Sequence, residues 1–140
     1  MTRDNKEIAR EIVLLVEDEP ILRELASDAL AERGFTVVAV ASGEEALQYL
    51  MLGHLVDALF TDFHLAGEMN GSTLGTLARR LRPQLPIVYT SANAGPEQIA
   101  PVKGSVFVPK PYNPSVIVRM LTSLIEAQRL PRAASRAQAS

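Results

Sequence analysis

Short apolar runs alternate along the chain with longer stretches in which apolar residues recur every three to four positions. Five runs stand out: IVLLV at 12–16, FTVVAV at 35–40, VDALFT at 56–61, PIVYT at 86–90 and SVFVP at 105–109. Each is short, rich in Val, Ile and Leu, and bounded by turn residues, the pattern of a buried strand. After the first run, Pro20 suits an opening helical turn, and Leu22, Leu25, Ala26, Ala29 and Leu30 form an apolar face that stops at Gly34. Ser42 and Glu45 fit a capping box that opens a helix with Ala46, Leu47, Leu50 and Met51 inward. A third helix from about Gly71 carries Leu74, Leu77, Ala78 and Leu81 and is ended by Pro83. The stretch ANAGPEQIAPVKGS at 92–105 holds two glycines and two prolines and leaves room for one helical turn at Glu97–Ala100. Asn113 and Pro114 open the last helix, with Val116, Ile117, Met120, Leu121, Leu124 and Ile125 inward.

Alternating strand and helix predicts an α/β fold: a doubly wound, five-stranded parallel sheet, (βα)5, with a degraded fourth helix. In such a sheet the carboxyl ends of the strands share one edge, where ligands bind. Glu17 and Asp18 follow the first strand, Asp62 the third, Ser91 the fourth and Lys110 the fifth. Residues spread over 93 positions of sequence are therefore expected in one pocket. Clustered carboxylates repel unless a positive charge sits among them. Their hard oxygens suit magnesium, which takes carboxylates and waters and leaves positions for phosphate. Lys110 adds a second positive charge and Ser91 a hydroxyl donor, which together make a cradle for a phosphoryl group. The chain contains neither G-x-x-x-x-G-K-[ST] nor G-x-G-x-x-G, so the phosphate is not expected to belong to a nucleotide. An aspartate that itself becomes an acyl phosphate fits better.

Length and composition narrow the class. The 140 residues favour one domain, and a net charge of −2 gives no general attraction to nucleic acid or membrane. The absence of cysteine removes disulfides and thiolate chemistry. The charged start MTRDNKEIAREI lacks a signal core, and no run is long enough to span a bilayer, so a cytoplasmic protein is expected. Residues 1–10 read as a loose polar segment, 11–128 as the domain, and the Arg/Ala/Ser-rich 129–140 as a disordered tail.

VLLVEDEP, LFTDFHLAGEMNG, PIVYTSAN and FVPKPYNP resemble the four signature stretches of the bacterial response regulator receiver domain, a flavodoxin-like fold, over residues from about 11 to 128. The resemblance implies that Asp62 is the phosphoacceptor. It implies that magnesium is held by Glu17, Asp18, Asp62 and the main-chain carbonyl of His64. Ser91 then matches the switch hydroxyl, with the preceding Thr90 as the alternative one residue earlier; Lys110 matches the lysine that pairs with the phosphate, and Phe107 the aromatic switch. The stretch 92–105 departs from the family by its short, proline-bearing fourth helix.

The function so implied is that of a stand-alone phosphoacceptor in a two-component system or phosphorelay. A sensor histidine kinase or histidine phosphotransfer protein donates the phosphoryl group. Output is by contact with a downstream protein, or the domain acts as a phosphate relay or sink, as a monomer or weak homodimer. It is a signalling module that catalyses only its own phosphorylation and slow autodephosphorylation. The alternatives come from other classes. A phosphorylation-independent interaction module would show no labelling. A small aspartyl-phosphate phosphohydrolase wants a second acid in D-x-D, which Asp62-Phe63-His64 lacks. A flavodoxin-like electron carrier needs a hydroxyl- and glycine-rich phosphate loop where EDEP stands.

Overall fold

The computed structural model describes residues 10–92 and 102–139, with side chains described as far as Arg129. The strands are β1 (Ile12–Val16), β2 (Thr36–Val40), β3 (Ala58–Asp62), β4 (Ile87–Ser91) and β5 (Val106–Pro109). The helices are α1 (Pro20–Glu32), α2 (Gly43–Met51), α3 (Gly71–Leu81) and α4 (Pro114–Ala139). All strand pairs are parallel, in the order β2-β1-β3-β4-β5.

Alternation along β1 sets the two cores. Val13 and Leu15 face a layer built with Ala26 and Leu30 of α1 and Ile117, Leu121 and Ile125 of α4. Leu14 and Val16 face Ala46 and Leu50 of α2 and Leu74 and Ala78 of α3. The three central strands are covered on both sides, which is why their sequences run almost continuously apolar. Local signals fix the helix starts. Ser42 Oγ accepts from the Glu45 N–H at 3.1 Å, and Glu45 returns its carboxylate to the Ala41 N–H at 2.9 Å, one residue before the cap. Asn70 and Asn113 cap α3 and α4 through their side-chain oxygens.

Some residues expected inward are not buried. Met51 and Leu81 end their helices and project past the sheet, at 67% and 43% exposure. Leu22 and Leu25 on α1 are also exposed. They border an open cavity of about 450 Å³ where α1 stands off from Pro111, Tyr112 and Pro114 of the β5–α4 connection.

The stretch 129–140, expected to be a disordered tail, is revised over 129–139, where α4 continues as helix to Ala139. Arg129 is tied down: it pairs with Glu11 at 3.1 Å and Asp57 at 3.8 Å, while Asp57 also accepts the Ile12 N–H at 2.7 Å. Beyond it the helix passes through Pro131, which lacks an N–H for the Ala127 carbonyl, into a run of Ala, Arg and Gln that are good helix formers, and extending an existing helix avoids the cost of nucleation. The degraded fourth helix expected between Ser91 and β5 falls mainly on residues 93–101, outside the described residues, as do residues 1–9 of the polar segment. Among the described residues no helix is long and apolar enough to cross a membrane.

Candidate functional site

Glu17 and Asp18 leave β1, Asp62 ends β3 and Lys110 follows β5, so the parallel sheet delivers all four to one edge. Lys110 Nζ lies 2.9 Å from Asp62 Oδ2 and 3.4 Å from Glu17 Oε1. One oxygen from each of Glu17, Asp18 and Asp62 falls within 4.8 Å of the others. The main chain holds these groups in place. Glu17 Oε2 accepts the Glu19 N–H at 3.2 Å, and Arg23 donates to the Glu17 carbonyl at 2.9 Å. Asp18 Oδ2 accepts the Ala66 N–H at 2.7 Å, tying the β1 edge to the β3–α3 loop. Asp62 Oδ1 accepts the His64 N–H at 3.3 Å. The Lys110–Pro111 peptide is cis.

Burial pushes the Glu17 carboxyl above its ordinary value, with the Asp62 charge adding to the rise, against the Glu19 N–H and Lys110, which pull it back. Lys110 loses water too, which works to lower it. The hydrogen bond and charge of Asp62, then Glu17, outweigh that and raise it above the usual lysine range. Lys110 therefore stays an ammonium at neutral pH. Three carboxylates against one ammonium leave a negative excess, and the donors are hard oxygens. That set fits a divalent cation such as magnesium, whose charge would offset the repulsion among the three carboxylates.

The raised Glu17 carboxyl has a stability consequence. The folded protein holds this proton more tightly than the unfolded chain, so metal-free stability falls as pH climbs from about 4.5 through the raised value. In chelator, Glu17→Gln is expected to melt above wild type at neutral pH, with the gap closing below pH ~4. Melting curves against pH check this; a gap that persists at low pH would assign the effect to packing instead.

The other expected residues lie close by, on differing faces. By strand alternation Ser91 shares the α2/α3 face with Tyr89, and its register neighbour in β5 is Pro109, two residues beyond the half-buried Phe107 of that same core. Ser91 is buried and its carbonyl accepts the Lys110 N–H at 2.9 Å. The His64 ring is exposed and sits edge-on to Phe63, so His64 meets Asp62 through its backbone. Three further residues belong to the site: Tyr112 and Gly71 carry no clear sequence signal, and Thr90 stood only as the alternative to Ser91. Tyr112 packs edge-on against Phe60 and lines the cavity beside Lys110. Thr90 is the register partner of Asp62. Gly71 starts α3 against the Asp62 backbone, a contact hinted at only by a glycine at a helix start.

A doubly wound parallel sheet that gathers three carboxylates and one paired lysine at its carboxyl edge defines the class of the domain. The chain belongs to the response regulator receiver domain family, whose defining pattern matches residues 13–122. It is 33% identical over 120 residues to "Sensor kinase CckA" of Brucella abortus, covering 83% of this chain and 13% of that protein. It is 32% identical over 130 residues to "Transcriptional regulatory protein AruR" of Pseudomonas aeruginosa, covering 88% of this chain and 52% of that one. The chain thus spans about half or less of these relatives. A response regulator receiver protein from Sinorhizobium medicae has the same fold, with a TM-score of 0.81, 30% identity, and coverage of 86% of this chain and 98% of that one. The family is one of signalling modules in two-component systems.

Proposed function

We propose that Asp62 is the phosphoacceptor of a two-component or phosphorelay pathway. The observation that carries this reading is the 2.9 Å contact of Lys110 with Asp62 beside the Glu17–Asp18–Asp62 cluster. An Asp62 oxygen attacks the phosphorus of a donor phosphohistidine. The P–N bond breaks, its electron pair stays on the imidazole nitrogen, which takes up a proton, and the new P–O bond makes an acyl phosphate. Lys110 turns from the carboxylate to the phosphoryl oxygens and offsets their charge. Magnesium held by Glu17, Asp18, Asp62 and the His64 carbonyl supplies further charge neutralisation when bound. Ser91 and Phe107 follow as the switch pair, and output passes by contact with a downstream protein or by relay of the phosphoryl group. The direct test is intact-mass spectrometry after incubation with magnesium and a small phosphodonor: one added phosphoryl group on wild type supports the reading.

The donor is a sensor histidine kinase or histidine phosphotransfer protein, and the apolar margin of the cavity beside Lys110 gives it a place to rest. Leu25, 61% exposed on that margin, is the residue to test. Leu25→Asp is expected to slow transfer from a phosphohistidine protein roughly tenfold, the loss of about 1.5 kcal/mol of apolar contact. Labelling by a small phosphodonor should stay at the wild-type rate. Equal loss with both donors would place the damage in the pocket.

A further inference from the structure

Thr90 is 2% exposed, and its hydroxyl oxygen is buried with no hydrogen-bond partner. A hydroxyl taken from water and left unpaired is destabilising, so this one calls for an explanation. Position supplies it. Thr90 and Asp62 are register partners on adjacent parallel strands, about 4.8 Å apart. Val88 and Phe60, two residues earlier on each strand, both belong to the core under α1 and α4. Alternation therefore puts the Thr90 hydroxyl and the Asp62 carboxylate on the same face. Ser91, one residue on, takes the opposite face, so the two consecutive hydroxyls flank the acceptor from different sides. In this state the Asp62 oxygens accept from the His64 N–H and from Lys110, and neither takes a bond from Thr90.

We propose that Thr90 is a second hydroxyl of the phosphorylated pocket: its O–H, unpartnered here, donates to an oxygen of the Asp62 acyl phosphate once Lys110 has moved to the phosphoryl group. This rests on Asp62 being the acceptor. The resting fold bears an unpaired hydroxyl, and the loaded state gains a bond from it, which biases the domain toward the loaded state.

The test is Thr90→Val, which keeps the shape and removes the hydroxyl, with Thr90→Ser as the variant that keeps it. Both are compared with wild type by melting temperature without phosphodonor, and by phosphoryl occupancy and its decay by intact mass with magnesium and a small phosphodonor. Thr90→Val is expected to melt at or above wild type when unphosphorylated, yet to hold the phosphoryl group with about tenfold lower equilibrium occupancy ratio or lifetime, the worth of one such bond. Thr90→Ser should recover most of that loss. Wild-type occupancy and lifetime in Thr90→Val would overturn the proposal. So would a lower melting temperature in Thr90→Val, since the hydroxyl would then be bonded in the resting state. If wild type itself takes no label, the acceptor reading fails and this role fails with it; if wild type labels and Thr90→Val behaves identically, only the Thr90 role is lost.

Discussion

Asp62→Asn is expected to take up no phosphoryl group under conditions that label wild type, and to fold normally. The amide keeps the size of the carboxylate and can still accept the His64 N–H seen at 3.3 Å. It is neutral and lacks the nucleophilic oxygen that forms the acyl phosphate. Lys110 loses its 2.9 Å partner but keeps Glu17 at 3.4 Å, so its ammonium is not stranded. The substitution also removes one of three mutually repelling carboxylates. These effects oppose each other, and a melting temperature within a few degrees of wild type follows. Intact mass and circular dichroism on the same sample read both parts. Retained label would move the acceptor to another residue. No label on wild type either, with magnesium binding confirmed, would turn the reading toward a module that works through contact alone.

Gly71→Ala is expected to be the most damaging small change in the domain. Inside a helix, alanine normally beats glycine by about 1 kcal/mol, and less at the first residue. Here a Cβ would fall on backbone: the carbonyl oxygen of Asp62 and the Cα of Phe63. Backbone cannot rotate away as a flexible side chain does. The Gly71 N–H also donates to the Phe63 carbonyl at 2.9 Å, so the helix cannot back off without breaking that bond. Overpacking of this kind outweighs the helix preference and costs about 3 kcal/mol, roughly 10 °C in Tm. Because the clash is with the acceptor's own peptide, labelling should fall as well, even well below the melting temperature. A variant with wild-type stability and labelling would show that α3 is free to shift.

The features legible in the sequence were those written in period and order. Five apolar runs with polar or charged residues after them gave the parallel sheet and put Glu17, Asp18, Asp62 and Lys110 on one edge. Strand ends were less legible: Asp62 and Ser91 proved to be the last residues of β3 and β4, each one residue beyond the end expected from hydropathy. An acid or hydroxyl can close a strand in the ladder when its side chain meets partners at the edge. Helical period alone also could not show that Leu22 and Leu25 stay exposed, since that depends on how α1 sits against the β5–α4 connection. Arg129 read as the start of a tail because its partners, Glu11 and Asp57, lie far away in sequence. Thr90 stayed an undecided alternative to Ser91 for a related reason. Two adjacent hydroxyls look equivalent in a string, and only the register between β3 and β4 tells which faces Asp62.

The hydrogen bond from the Ala66 N–H to Asp18 Oδ2 spans 48 residues and joins two loops that each bear on the same pocket. Asp18 therefore serves two masters, the loop that follows the acceptor and any cation drawn into the cluster. Thermodynamic reciprocity makes the relation mutual: whatever draws Asp18 toward the ion alters the β3–α3 loop, and whatever fixes that loop alters the ion's hold by the same factor. A partner that grips this loop from outside at Ala66 would therefore tune a cation's hold on the pocket while leaving the Glu17, Asp18 and Asp62 side chains untouched.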